Sequence, residues 1–153
     1  MADIPYTQSL HDDIRFEAEL CGQKLQFAST WGIFSPREID EGTALLLKYL
    51  EIKPNDDCFD LGCGYGPIGL TMAKLAPQGQ TLMVDKDFMA VEYSNKNAAL
   101  NKLPNAKAML SNGFQHIDKN LRFDVIASNI PAKVGKEMMS ILLHDMQQHL
   151  KPG

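Results

Sequence analysis

Asp60, Gly62, Gly64 and Gly66 stand at alternate positions in the stretch FDLGCGYGPIG, residues 59–69. Glycines in such a run let a ligand lie against bare backbone and let the chain turn with positive φ. Gly62, Gly64 and Gly66 fit a G-x-G-x-G pattern, and Gly64, Gly66 and Gly69 fit G-x-G-x-x-G, the spacing of a dinucleotide-binding turn. Three further stations carry groups able to hold a ligand: Asp85 and Lys86 in VDKD, Asn112 and Gly113 in LSNG, and Asn129, Ile130 and Pro131 in SNIP.

Asp60 discriminates between ligands. A pyrophosphate beside a carboxylate is repelled by about 1 kcal/mol or more per charge pair at contact distance, depending on the local dielectric. A ligand that carries an ammonium and a sulfonium, and no phosphate, is attracted. S-adenosylmethionine is such a ligand. Asp85, roughly 20 residues beyond the glycine turn, stands where an acid accepts hydrogen bonds from ribose hydroxyls. Asn112 can present its amide to an adenine edge, and Gly62, Cys63, Gly64, Gly66, Lys86 and Gly113 complete the expected cofactor surface.

The elements that must position these groups are legible from periodicity and turn residues. Ile14, Phe16, Ala18 and Leu20 alternate with polar residues. Gly22 marks a turn, and Leu25 and Phe27 resume the alternation, which predicts a β-hairpin. A loop with Gly32, Pro36 and Gly42 leads to a helix carrying Leu45, Leu46, Leu47 and Leu50. From Cys58 onward strands and helices alternate. Strands are expected at 58–61, 81–84 with Asp85 at its end, 106–110 and 123–127. Helices are expected at 67–75, between Pro67 and Pro77, and at 88–100, with a last one through Met138, Leu142, Leu143, Met146 and Leu150. Alternating strands and helices predict an α/β, Rossmann-like, doubly wound and mostly parallel sheet. All four ligand stations then fall at carboxyl ends of strands, where such sheets bind ligands.

Bulk properties narrow the class. The chain has 153 residues, 44% hydrophobic and 22% charged, with a net charge of −4. That is one domain of ordinary size, with 1–50 as hairpin and lead-in helix and 51–153 as α/β core. The charge argues against a protein that coats nucleic acid by charge alone. Cys21, Cys58 and Cys63 lack metal or redox spacing, and His11, His116, His144 and His149 form no zinc-ligand pair, so no metal is expected. His144 and His149 read as surface or half-buried helix. No signal peptide or span-length apolar run is visible, so a reducing, cytoplasmic setting is expected.

The segments DLGCGYGPIGL, VDKD and FDVIASNIPAKVGKE, in this order, resemble a class I S-adenosylmethionine-dependent methyltransferase. WGIFSPREIDEGTALLL resembles the lead-in of the methyltransferase small-domain family, which includes guanine-N2 methyltransferases of ribosomal RNA. The resemblance runs from about Phe27 to the end. It implies that the side chain of Asn129 and the carbonyl of Ile130 hold a target amine, with Pro131 fixing the turn. The family's Asn-Pro-Pro-aromatic signature here reads Asn129, Ile130, Pro131, Ala132, a departure that bears on the acceptor more than on the cofactor. Lys133, Gly135 and Lys136 match the basic continuation of some members. The family's sheet has seven strands, and the last three would follow Gly153, so the C-terminal strands are expected to be missing from this chain.

The expected reaction is N-methylation of an exocyclic amine of an RNA base. Phe34 is expected to close over and stack on the base, Trp31 to pack in the core or a lid, and Lys133 and Lys136 to meet RNA phosphates. Three alternatives share part of this pattern: transfer to a protein or small-molecule amine, a non-catalytic cofactor- or RNA-binding module, and a nicotinamide dehydrogenase, which Asp60 disfavours. Oligomeric state is not legible.

Overall fold

The structure is a computed structural model and describes residues 14–30, 41–128 and 146–151. Strands β1 (Ile14–Leu20) and β2 (Gln23–Ser29) form the expected antiparallel hairpin, from Ile14 opposite Ser29 to Leu20 opposite Gln23. Its two turn residues, Cys21 and Gly22, both have positive φ, 53° and 76°. That backbone matches the twist of a two-residue hairpin. Phe16, Ala18, Leu20, Leu25 and Phe27 face inward, as the alternation predicts.

Helix α1 (Glu41–Lys48) follows, with Leu47 buried. The core is then built from β3 (Cys58–Leu61), α2 (Pro67–Leu75), β4 (Thr81–Asp85), α3 (Phe88–Leu100), β5 (Ala106–Leu110) and β6 (Val125–Ser128). The four strands form a parallel sheet in the order β5-β4-β3-β6. Strand order reverses at β3, which has β4 on one side and β6 on the other. The crevice outside the carboxyl ends of β3 and β6 is therefore the expected ligand site of such a sheet.

Two apolar clusters cover the two faces. Cys58, Met83, Ala108 and Ala127 pack with the hairpin and with Leu70, Met72 and Tyr93 of α2 and α3. On the other face Phe59, Leu61 and Val84 pack with Phe114, Ile117 and Phe123 and with Met146. Phe123, Phe59, Phe114 and His149 form an aromatic column with centroid spacings of 4.8, 4.8 and 4.7 Å. His149 is thus buried, stacked on Phe114, with Nδ1 2.8 Å from the Leu121 carbonyl.

Two boundaries differ from expectation. The fourth core strand starts at Val125, and Phe123 makes an isolated parallel bridge with Leu150 instead. Phe123 donates its amide to the His149 carbonyl at 2.7 Å, and Lys151 donates to the Phe123 carbonyl at 2.9 Å. Leu150 accordingly leaves the helical pattern expected to run through it. The rest of that expected helix, 138–145, lies outside the described residues.

Side chains tie the hairpin to the core along the edge of β2 that faces away from β1. The Lys24 carbonyl accepts the Lys74 ammonium at 2.6 Å. Asn101 takes both backbone groups of Gln26, accepting its N–H at 2.9 Å and donating to its carbonyl at 2.7 Å. Asn97 does the same for Ala28, at 2.7 and 2.9 Å. The backbone groups of alternate residues along this strand edge are thereby satisfied by side chains. Asn95 treats the Ala108 edge of β5 in the same way, at 2.9 and 3.0 Å.

Candidate functional site

The glycine turn bridges β3 and α2. Gly62, Gly64 and Gly66 have φ of 74°, 57° and 105°, a conformation costly for any residue with a Cβ. The turn is pinned to β4: Gly62 and Cys63 both donate to the Val84 carbonyl at 2.9 Å, and Gly66 donates to Cys63 at 3.0 Å. Gly66 then caps α2, with Pro67 as its first residue, where a proline costs no hydrogen bond. A Cβ on Gly62 would meet nothing within 4 Å, so this backbone faces open space. A Cβ on Gly69 would lie 2.3 Å from Met83 Cγ and 2.5 Å from Met83 Sδ. Gly69 therefore serves close packing of helix on sheet, and both glycine patterns of the sequence are used, for different purposes.

Asp60 is not on the open surface of the turn. It is fully buried, with Oδ2 accepting the Gly69 amide at 2.9 Å in the first turn of α2. Its Oδ1 has no hydrogen-bond partner among the described residues. Burial, opposed by the Gly69 hydrogen bond and reinforced by nearby Asp85, pushes the carboxyl up from 3.8 to about 7. Asp60 is thus an inward acid at the base of the turn. The physical cause is the Gly69 contact, which draws α2 down over it.

Asp85 ends β4 half-exposed and bonded on both oxygens. Oδ2 accepts the Gly64 amide at 3.0 Å, and Oδ1 accepts the Asp87 amide at 2.9 Å. A carboxylate has about four acceptor positions, so two remain for a ligand. Cys63 points inward. Its thiol is buried, with Sγ 3.3 Å from the Ser94 hydroxyl oxygen, and desolvation with Asp60 nearby raises its pKa well above the usual range. Only the backbone of Cys63 is left to meet a ligand. Lys86 and Asn112 are exposed. Gly113 has φ 62°, and its carbonyl accepts the Ser111 hydroxyl at 2.7 Å, which fixes the turn after β5.

The structure thus brings Asp60, Gly62, Cys63, Gly64, Gly66, Asp85, Lys86, Asn112 and Gly113 to the carboxyl ends of β3, β4 and β5. Phe34, Asn129, Ile130, Pro131, Lys133 and Lys136 lie outside the described residues, as does Trp31. Ser128, the last residue of β6, donates its hydroxyl to the Leu61 carbonyl at 3.1 Å, so the carboxyl end of β6 lies directly beside the glycine turn.

Four residues escaped the sequence reading. Ser94 donates to the Gly64 carbonyl at 2.7 Å and braces the turn from below. Asn97 donates to the Tyr65 carbonyl at 2.8 Å. Both lie on the core-facing side of α3, and polar residues spaced three apart there were the available signal. Leu110, opposite Asp85 in the β4–β5 register, and Phe88, at the start of α3, are exposed apolar side chains. Their signal was an apolar residue at a strand end and at a helix start.

A family model described as the methyltransferase small domain matches residues 24–153. The chain is 36% identical over 126 residues to the uncharacterized protein YbxB of Bacillus subtilis, which covers 82% of this chain and 63% of that one. It is 36% identical over 143 residues to ribosomal RNA small subunit methyltransferase C of Pseudomonas putida, covering 91% of this chain and 42% of that protein. Among solved structures, a T. thermophilus 16S rRNA guanine-N2 methyltransferase in complex with AdoMet and guanosine superposes with a TM-score of 0.82 at 26% identity. That match covers 92% of this chain and 40% of the other. The chain therefore spans less than two thirds of the length of each of these relatives.

Proposed function

Because the chain belongs to the methyltransferase small domain family, we propose that it is an S-adenosylmethionine-dependent N-methyltransferase whose acceptor is an exocyclic amine, guanine-N2, in ribosomal RNA. One observation carries the reading: a glycine turn whose open backbone at Gly62 lies between an inward acid, Asp60, and a strand-end acid, Asp85, at the reversal of strand order. We infer that the hairpin, the lead-in helix and the α/β core of 1–153 work as one cofactor-binding domain. The hairpin's shared core with α2 and α3 supports this.

The site fits the cofactor chemically. Gly62 leaves space where a side chain would intrude. Asp85 keeps acceptor positions for ribose hydroxyls, and Leu110 and Phe88 offer apolar surface for a purine. Asn112 and Lys86 supply polar groups at the rim. The match to the methyltransferase small domain makes the dehydrogenase reading the poorer fit. When bound, S-adenosylmethionine supplies an electrophilic methyl group on a sulfonium.

The chain's own task is alignment and charge stabilisation. An exocyclic amine on a purine is a weak nucleophile because its lone pair spreads into the ring. The amide oxygen of Asn129 and the carbonyl of Ile130 accept its two N–H groups. They favour a pyramidal nitrogen and stabilise the positive charge it acquires. Pro131 holds that turn, Phe34 stacks on the base, and Lys133 and Lys136 contact phosphates of the RNA.

The test is transfer of tritiated methyl groups to ribosomal RNA by the full-length protein. Incorporation that is lost in Asn129→Ala, with cofactor binding retained, supports the reading. Incorporation only into protein or small-molecule amines moves the acceptor. Cofactor binding without any transfer makes the chain a binding module.

A further inference from the structure

Asn97 is fully buried and holds two distant parts of the chain at once. Its side-chain amide donates to the carbonyl of Ala28 in β2 at 2.9 Å and to the carbonyl of Tyr65, inside the glycine turn, at 2.8 Å, while its oxygen accepts the Ala28 N–H at 2.7 Å. The ring of Tyr65 is clamped as well. It meets Phe16 and Phe27, one from each hairpin strand, edge-on at 5.7 and 5.6 Å, and those two rings lie 5.4 Å apart. Hairpin and glycine turn are therefore joined by three hydrogen bonds through one side chain and by an aromatic triad. Asn101, one turn further along α3, bonds Gln26 and the Asn97 carbonyl and does not reach the glycine turn.

We propose that Asn97 is a positioning residue that couples cofactor occupancy of the glycine turn to docking of the N-terminal hairpin, so that binding of S-adenosylmethionine fixes β2 against α3. The inference rests on the function proposed above. Its physical basis is linkage. If β2 lifts off α3, Asn97 is stripped of its Ala28 partners and Tyr65 loses two aromatic neighbours, so the turn loses its support. A ligand that binds only the supported turn then disfavours lifting by the factor 1 + [L]/Kd. Local openings of this kind are what amide exchange reports.

S-adenosylhomocysteine, unreactive and of the same shape, is the probe. Calorimetry on the full chain comes first: no binding overturns the proposed function itself. With binding shown, native-state hydrogen exchange is measured at the Ala28 amide and at Gln80, whose amide is held by Asp57 Oδ1 at the amino end of the sheet. At 100 times Kd, Ala28 exchange is expected to slow about 100-fold, with much less slowing at Gln80. Asn101→Ala is expected to keep that ligand-dependent slowing, and Asn97→Ala to lose it. No slowing at Ala28, or equal slowing at both amides, overturns the coupling. The unsubstituted chain decides this even if Asn97→Ala fails to fold. Slowing that persists in a folded Asn97→Ala removes Asn97 from the role.

Discussion

Asp60 Oδ2 and the Gly69 amide meet at 2.9 Å beneath the first turn of α2, and the carboxyl that makes this bond has no exposed surface. The contact joins the strand-end acid to the glycine that lets the helix approach. It makes the acid a titrating group of the fold as well as a candidate neighbour of the cofactor.

The raised pKa sets a sign for the pH dependence of stability. Asp60 takes up its proton at about pH 7 in the folded chain and near 3.8 once exposed. Between those values the folded state binds more protons, so its contribution to stability falls as pH rises and is flat above the folded value. Asp60→Asn should remove this slope. Urea unfolding at pH 5 and pH 8 checks it, and an identical pH difference in both proteins would contradict the assignment.

Gly69→Ala places a methyl group inside contact distance of Met83 and 3.0 Å from Asp60 Oδ2. Overpacking in a filled core costs about 1–3 kcal/mol. A lowered denaturation midpoint is expected, with partial recovery when Met83→Ala is added. Additive losses would show that Met83 is not the obstruction.

Gly62→Ala should behave differently. The new methyl group enters open space, so the folding cost is limited to the left-handed backbone, about 1–2 kcal/mol. It intrudes where a ligand would lie against the backbone. A loss of S-adenosylmethionine affinity of tenfold or more is expected by calorimetry, larger than any loss in Gly69→Ala. Unchanged affinity would move the ligand off the turn.

Asn105 sits just before β5, at the other end of the sheet. It donates to the carbonyls of Ala73, Ala76 and Gly79 at 3.0, 3.0 and 3.2 Å, closing the end of α2. Asn105→Ala should cost about 1–2 kcal/mol of stability, the scale of a lost cap that leaves carbonyls unmet. Cofactor affinity should stay within twofold. A larger change would mean that the far end of α2 communicates with the glycine turn.

Much of this architecture is legible in the order of residues. Hairpin alternation, Pro67 and Pro77 bounding α2, and short apolar runs ending in Asp85, Leu110 and Ser128 placed the strands of the hairpin and core within a residue, except at Phe123, where β6 starts two residues late. There a backbone pair with His149 and Lys151, far along the chain, took the residue out of β6. The turns that end β3, β4 and β5 were likewise readable, because glycine, aspartate and asparagine at strand ends signal turns from local chemistry alone.

Local pattern, then, determined the strands, the helices, the parallel class and the positions where a ligand could be met, since periodicity and turn preference depend on neighbours in sequence. Tertiary packing decided how those positions are used. Asp60 and Cys63 turned inward because α2 closes over them through Gly69 and α3 presents Ser94. Asn97 and Asn101 became anchors for a hairpin 69 and 75 residues away. A buried amide needs partners, and which backbone groups supply them is settled only when distant segments are brought together.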